Sequence, residues 1–258
     1  MAVPGRQVPI SDPAELARTE LFAVDAYLRD FDTVVEEVDA DQRRVRLGRT
    51  AFYPGGGGQP YDLGVLRWGD QDAAVVRVGR DNGRVWHWLG TDDLPAVGTD
   101  IHGELDWERR HLTMRTHTAL HILCGVMWAD HRVAVTGGNM DPGKGRLDFP
   151  LESMSAEFGR QVERRINDEI AAAREILVEF VGREVADADH ALIRTAANLI
   201  PREIDPLRVI DIVGLDKQAD GGTHVLSTAE VGSVVVTGTE SKGKGNKRVR
   251  LQVHPPTA

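Results

Sequence analysis

The pattern of apolar and polar positions changes once along this chain, near Trp107. Before it, apolar residues come in brief runs, Val34-Val35, Val45-Arg-Leu47, Ala73–Val78 and Val85–Leu89, separated by Gly, Asp and Asn. Short strands at regular spacing with glycine-rich turns predict a small β-barrel. Asp81-Asn82-Gly83 predicts a tight hairpin between two of them, because Asn-Gly accepts the positive φ angles of a type I′ turn. Leu21–Phe31 fits either a short helix or an opening strand. Residues 1–18, rich in proline and polar at their start, read as an N-terminal arm.

After Trp107 the apolar period lengthens. Glu108–Asp130 predicts one helix, with Gly125 as a tolerated interruption. Val133–Thr136 and Arg146–Phe149 predict a strand pair around a glycine-rich loop. Ala156–Glu175 places Phe158, Val162, Ile166 and Ile170 on one face of a long amphipathic helix. Ile176–Val181 reads as a strand, and Asp187–Leu199 as a helix opened by Asp and stopped before Pro201. Leu207–Val213, Val231–Thr237 and Lys247–Val253 close the chain as strands. Helices and strands mix without strict β-α-β alternation, which points to the α+β class. The expected organisation is an arm (1–18), a small β-barrel domain (19–107) and a two-layer α+β core (108–258).

Composition narrows the function classes. The 258 residues carry a net charge of −9, so any RNA contact must come from a local basic patch. There is one cysteine, Cys124, which excludes an intramolecular disulfide and fits a reducing, cytoplasmic setting. No apolar run is long enough to span a membrane, and the N-terminus has no signal-peptide pattern.

The chemistry concentrates in two spaced pairs. His117 and His121 stand in Met114-Arg-Thr-His-Thr-Ala-Leu-His121, four apart, so on a helix both imidazoles reach one face. A zincin peptidase needs Glu directly after its first histidine; Thr118 stands there, and the peptidase reading loses its base. The second pair is Asp220-Gly-Gly-Thr-His224, where the glycines permit a tight turn that aims Asp220 and His224 at a common point. Together the pairs offer four N or O donors, enough for a tetrahedral Zn2+ site.

Two further segments bear on function. Phe52-Tyr-Pro-Gly-Gly-Gly-Gly-Gln-Pro60 presents an unobstructed backbone, and no Gly-Lys-Ser/Thr follows it, so it is not a P-loop. Ser241–Arg250 is basic and free of acids inside an acidic protein, which suits phosphate contacts as well as it suits a solvated edge. Cys124 sits amid Leu120, Ile122, Leu123 and Val126 and reads as a packed helix residue.

Four motifs in this order carry a resemblance: Thr50-Ala-Phe-Tyr-Pro-Gly-Gly-Gly-Gly-Gln59, Met114–His121, Asp220–His224 and Lys242-Gly-Lys-Gly-Asn-Lys-Arg248. From about Asp25 to Val253 the chain resembles the freestanding alanyl-tRNA editing hydrolases, relatives of the editing domain of alanyl-tRNA synthetase. The resemblance implies a glycine-motif barrel followed by an α+β editing core, with zinc held by His117, His121, Asp220 and His224. It implies hydrolysis of the ester on mischarged tRNA(Ala), chiefly Ser-tRNA(Ala), with Gly-tRNA(Ala) as second candidate. Thr50, Gln59, Gly56, Gly57 and Gly58 would contact the substrate at the tRNA acceptor end, and Lys242, Lys244, Lys247 and Arg248 the tRNA. The chain departs from the family pattern twice: Asp220 replaces a cysteine common in relatives, and Gly55 replaces a glutamate. Those departures support the main alternative, a tRNA-binding module without catalysis; a metal hydrolase of small molecules is a third reading.

Overall fold

The computed structural model describes residues 12–153, 155–188, 192, 204–241, 243 and 245–256. The chain forms two compact units. One comprises Met1–Gly56, Pro60–Arg110 and Pro201–Pro206; the other Gly57–Gln59, His111–Ile200 and Leu207–Ala258.

In the first unit α1 (Pro13–Thr19) falls within the expected arm. Asp12 caps it, accepting the Glu15 N–H at 2.9 Å, and Pro13 suits the first helical position. A 3-10 turn at Leu21–Ala23 follows. Six strands then close into a barrel: β1 (Asp30–Asp39), β2 (Arg44–Leu47), β3 (Gly64–Trp68), β4 (Gln71–Asp81), β5 (Arg84–Leu89) and β6 (Asp100–Leu105), ordered β1-β2-β5-β4-β3-β6. The β4–β5 turn is the expected one, with Asn82 at φ 50° and Gly83 at φ 78°. β3 and β6 are strands the hydrophobic pattern did not single out; each is short and contains a glycine, which in sequence reads as a turn. Closure leaves no exposed edge. Phe31, Val35, Val45, Phe52, Leu66, Val75 and Ile101 fill the interior.

α2 (Trp107–His131) opens on Asp106, whose carboxylate accepts the Arg109 N–H at 3.1 Å. Arg110 in its first turn is fully buried and salt-bridged to Asp62 at 2.6 Å. Burial, resisted by Arg110, raises the Asp62 carboxyl above its ordinary value.

The second unit holds a four-stranded antiparallel sheet, β12-β13-β8-β7, from β7 (Gly137–Asp141), β8 (Lys144–Phe149), β12 (Ser233–Ser241) and β13 (Lys247–His254). The first hairpin therefore begins later than Val133; of the glycines expected in its loop, Gly137, Gly138 and Gly145 are strand residues and Gly143 makes the turn, at φ 83°. A three-stranded sheet, β11-β10-β9, is built from β9 (Ile176–Val181), β10 (Leu207–Ile212) and β11 (Asp216–Ala219). α3 (Ala156–Ala171) buries Val162, Ile166 and Ile170 and bonds Val234 of β12 through both ends of the Asn167 amide. It stops four residues before Glu175 because Ala173 turns left-handed, at φ 49°. α4 (Arg183–Ala188) starts before the expected Asp187, and most of the rest of that predicted helix lies outside the described residues. The class is α+β, with an N-terminal barrel.

Candidate metal centre

Each donor pair is placed by the element its sequence builds. On α2 the one-turn spacing sets the His117 and His121 rings 5.0 Å apart, centroid to centroid. Asp220 and His224 lie in the loop after β11, tied down by the Arg208 guanidinium, which donates to the Asp220 and Gly222 carbonyls at 2.9 and 2.8 Å. Gly222 is a close-approach position: a Cβ there would lie 2.5 Å from both Gln59 Oε1 and His117 Cε1. The His224 ring stacks 4.2 Å from His117 and stands edge-on 4.6 Å from His121.

One ligand atom from each of His117, His121, Asp220 and His224 falls within 4.8 Å of the other three. His117, His121 and His224 are 6, 7 and 4 % exposed, so bulk water does not hold these rings apart. The hydrogen bonds also orient them. His117 Nδ1 donates to Gln59 Oε1 at 2.9 Å and His121 Nδ1 to the Asp216 carboxylate at 3.2 Å, while the Thr118 hydroxyl pairs with His224 Nδ1 at 3.2 Å. A proton on Nδ1 makes Nε2 the lone-pair nitrogen of the His117 and His121 rings, whereas His224 turns Nε2 to a carboxylate oxygen. His117 Nε2 lies 3.8 Å from Asp220 Oδ1, and His224 Nε2 lies 3.1 Å from Asp220 Oδ2. Oδ2 also accepts the Gly222 N–H at 2.7 Å. Three imidazoles, each anchored at Nδ1, and a carboxylate form a donor set that fits a divalent cation such as zinc.

The electrostatics agree with that fit. Burial pushes His117 down to about 4, against the pull of Asp220, and pushes His224 well below its usual value. Burial alone would raise Asp220, but His117 and the hydrogen bond to His224 hold it well below the ordinary carboxylate range. Neutral imidazoles beside a carboxylate are the protonation states a metal needs.

Five residues have supporting roles that the sequence reading does not assign them. Asp216 and Gln218 alternate along β11, and Gln218 Nε2 donates to Asp216 Oδ2 at 2.6 Å, fixing the anchor of His121. Gly125, one turn beyond His121, lets this hairpin approach α2, since a Cβ there would lie 2.8 Å from Leu215 Cγ. Thr118, which denied the chain a peptidase base, anchors His224; Thr223 bonds Gln59 twice, at 2.9 Å each. Period-2 polar positions at 216 and 218 were the available signal, too brief to mark a strand.

The remaining predicted site residues fall as follows. Gly57 belongs to the second unit, where a Cβ on it would meet Asp220 Oδ1 at 3.9 Å. Gly55 to Gly58 all have positive φ, from 58 to 139°, and Gly56 accepts the Tyr53 hydroxyl at 3.2 Å. Thr50 lies in the barrel unit, 3 % exposed, its hydroxyl paired with His87 Nε2 at 2.9 Å and accepting the Phe52 N–H at 3.0 Å. Lys242 and Lys244 lie outside the described residues. Lys247 is 7 % exposed and bonds the Gly243 carbonyl at 3.3 Å, while Arg248 pairs with both oxygens of Asp148 at 2.7 and 2.8 Å. Cys124 is buried. No helix among the described residues is long and apolar enough to cross a membrane.

Residues 17–109 match the family model described as tRNA synthetases class II (A), and residues 207–250 match the threonyl and alanyl tRNA synthetase second additional domain. Barrel and four-donor core are thus of a synthetase-related class. The alanyl-tRNA editing protein AlaX-M of Methanosarcina acetivorans is 34 % identical over 236 residues, 89 % of this chain and 96 % of its own length. The protein of that name from Saccharolobus solfataricus is 34 % identical over 238 residues, 92 % of this chain and 99 % of its own. The alanine–tRNA ligase of Pyrococcus furiosus is 33 % identical over 232 residues, 89 % of this chain and 25 % of the ligase. The chain belongs to the alanyl-tRNA editing protein family, a family of deacylases.

Proposed function

We propose that this protein hydrolyses, in trans, the ester linking a wrong amino acid to tRNA(Ala), with Ser-tRNA(Ala) as chief substrate and Gly-tRNA(Ala) as second. The observation that carries this is the buried three-histidine, one-aspartate cluster with every Nδ1 anchored. Its residues would hold Zn2+, which when bound supplies Lewis acidity toward the ester carbonyl or the attacking water. The protein's own share is orientation and exclusion of water. Gln59 and Asp216 fix the tautomers of His117 and His121, Thr118 holds the His224 ring at Nδ1, and Arg208 fixes the loop that carries Asp220 and His224. Asp220 has one oxygen committed to Gly222 and His224, and offers Oδ1 as its ligand atom.

On this reading the glycine loop, Gly56, Gly57 and Gly58, offers backbone to the aminoacyl end of the tRNA. Thr50 reads the serine hydroxyl: its own proton goes to His87 and one lone pair to Phe52, which leaves a lone pair to accept a serine O–H that alanine lacks. Lys242 and Lys244 supply phosphate contacts from the basic segment, joined by Lys247 and Arg248 if they leave their internal partners.

The test is single-turnover deacylation of Ser-tRNA(Ala) and Ala-tRNA(Ala), with protein as purified, stripped by chelator, and reconstituted with Zn2+. Serine release that is fast, chelator-sensitive and restored by zinc is expected, with alanine released much more slowly. Serine release at the uncatalysed rate in the zinc-loaded protein would leave a tRNA-binding module without catalysis.

A further inference from the structure

We infer that Gln59 is a positioning residue for the metal ligands and not a contact for the aminoacyl group; the inference rests on the metal-site reading above. Resemblance places Gln59 beside the substrate, but its amide is already committed. Oε1 accepts from His117 Nδ1 and from the Thr223 N–H, both at 2.9 Å, and Nε2 donates to Thr223 Oγ1 at 2.9 Å. Both oxygen lone pairs and one N–H are therefore spent, and the remaining N–H belongs to a residue 3 % exposed. The amide fills the slot that Gly222 leaves, since a Cβ at position 222 would lie 2.5 Å from Oε1.

Those three bonds join segments far apart in sequence: the end of the glycine loop, helix α2 through His117, and the loop whose next residue is His224. The bond to Nδ1 also selects a tautomer. Free neutral imidazole can carry its proton on either nitrogen; a carbonyl oxygen facing Nδ1 requires the proton there and frees Nε2 for a metal. The glycine loop thus acts on the site by holding Gln59 in place, a task that does not depend on which amino acid is bound.

Gln59→Leu keeps the bulk of the side chain and removes all three bonds. Gln59→Glu keeps two acceptor oxygens for His117 and the Thr223 N–H, and Thr223 can turn its hydroxyl to donate. In the full chain, Zn2+ affinity measured by competition with a chromogenic chelator falls about 10- to 100-fold for Gln59→Leu and stays close to the parent for Gln59→Glu. Nitrogen-15 spectra of the metal-free parent show the His117 ring protonated at Nδ1, and the leucine variant loses that preference. A merely structural role would lower the melting temperature of Gln59→Leu without moving the tautomer. Unchanged zinc affinity in both variants, with KM for Ser-tRNA(Ala) raised in each, would overturn the inference and restore the substrate contact. A parent that binds no zinc would defeat the metal-site reading instead. In that event, or if the leucine variant does not fold, the parent spectrum still decides: a His117 ring protonated at Nε2 rules out the proposed role for Gln59.

Discussion

The barrel and the α+β core each bury histidine, and only the core makes a site of it. His87 of β5 is fully buried, and burial pushes it to about 4, the same value as His117. Neither burial nor basicity separates the two. What separates them is what the ring nitrogens converge on. His87 Nε2 faces the Thr50 hydroxyl at 2.9 Å and Nδ1 faces the Val45 carbonyl at 3.4 Å, so both ring nitrogens have partners in the barrel wall. In the core, each histidine has Nδ1 on an anchor, His117 and His224 turn Nε2 to the one Asp220 carboxylate, and all three rings bring a ligand atom to the same cluster. A buried polar group satisfied inside the fold by separate partners of its own is architecture; buried rings that converge on one shared carboxylate are a candidate site.

The largest expected effect tests that distinction directly. His224→Ala removes one of four donors and costs the Asp220 carboxylate one of its hydrogen-bond partners. Zinc affinity, and with it serine release from Ser-tRNA(Ala), should fall by more than the roughly 100-fold that losing an outer-shell partner costs. His87→Ala should leave zinc content at the parental level and cost stability of about 1–3 kcal/mol through the unpaired Thr50 hydroxyl and the vacated volume. Metal analysis beside denaturant melts measures both. Loss of zinc from His87→Ala would erase the contrast between the two regions.

Acid should unfold the barrel partly through His87. Its folded pKa, about 4, lies below the ordinary histidine value of 6.5, so the unfolded chain takes up the proton first as pH falls. The stabilisation is complete above pH 6.5 and drains away as pH drops toward 4, by about 3 kcal/mol in all. A His87→Gln variant lacks this titration, and its unfolding free energy should fall less over the same window. His117 carries the same sign, so the comparison is best made on metal-free protein, where both variants keep the core histidines. An identical pH profile in parent and His87→Gln would mean that His87 is not buried neutral.

The same accounting explains what the sequence disclosed. Both donor pairs, the α+β class and the barrel were legible because they follow from periodicity and spacing: four apart on a helix, four apart around two glycines, short strands between turns. The anchors were not. Gln59 and Thr223 are 164 positions apart, and Asp216 sits on a strand of four residues, too short for its period to register. Thr118 was read for what it lacked as a base, whereas its oxygen sits 3.2 Å from His224 Nδ1. Pairing between remote polar side chains leaves no local pattern; only the folded chain brings the partners together.

The smallest expected effect applies the criterion to the basic segment. In sequence, Arg248 is one of a run of unopposed cations. In the fold its guanidinium spends two donors on Asp148, an ion pair that raises its pKa above the ordinary arginine value. A cation already neutralised inside the fold displaces few counterions when tRNA arrives. Each phosphate contact contributes about 0.7–0.9 to the slope of log affinity against log salt. Arg248→Gln should therefore flatten that slope by less than one such contact, with binding to tRNA(Ala) weakened uniformly across salt concentrations, if at all. A drop by a full contact would mean that Arg248 exchanges Asp148 for phosphate on binding, and that a side chain saturated in the free protein can still belong to the interface. The rule separating His87 from His117 would then hold for groups locked in the core and fail for those at the surface, where a partner can be traded.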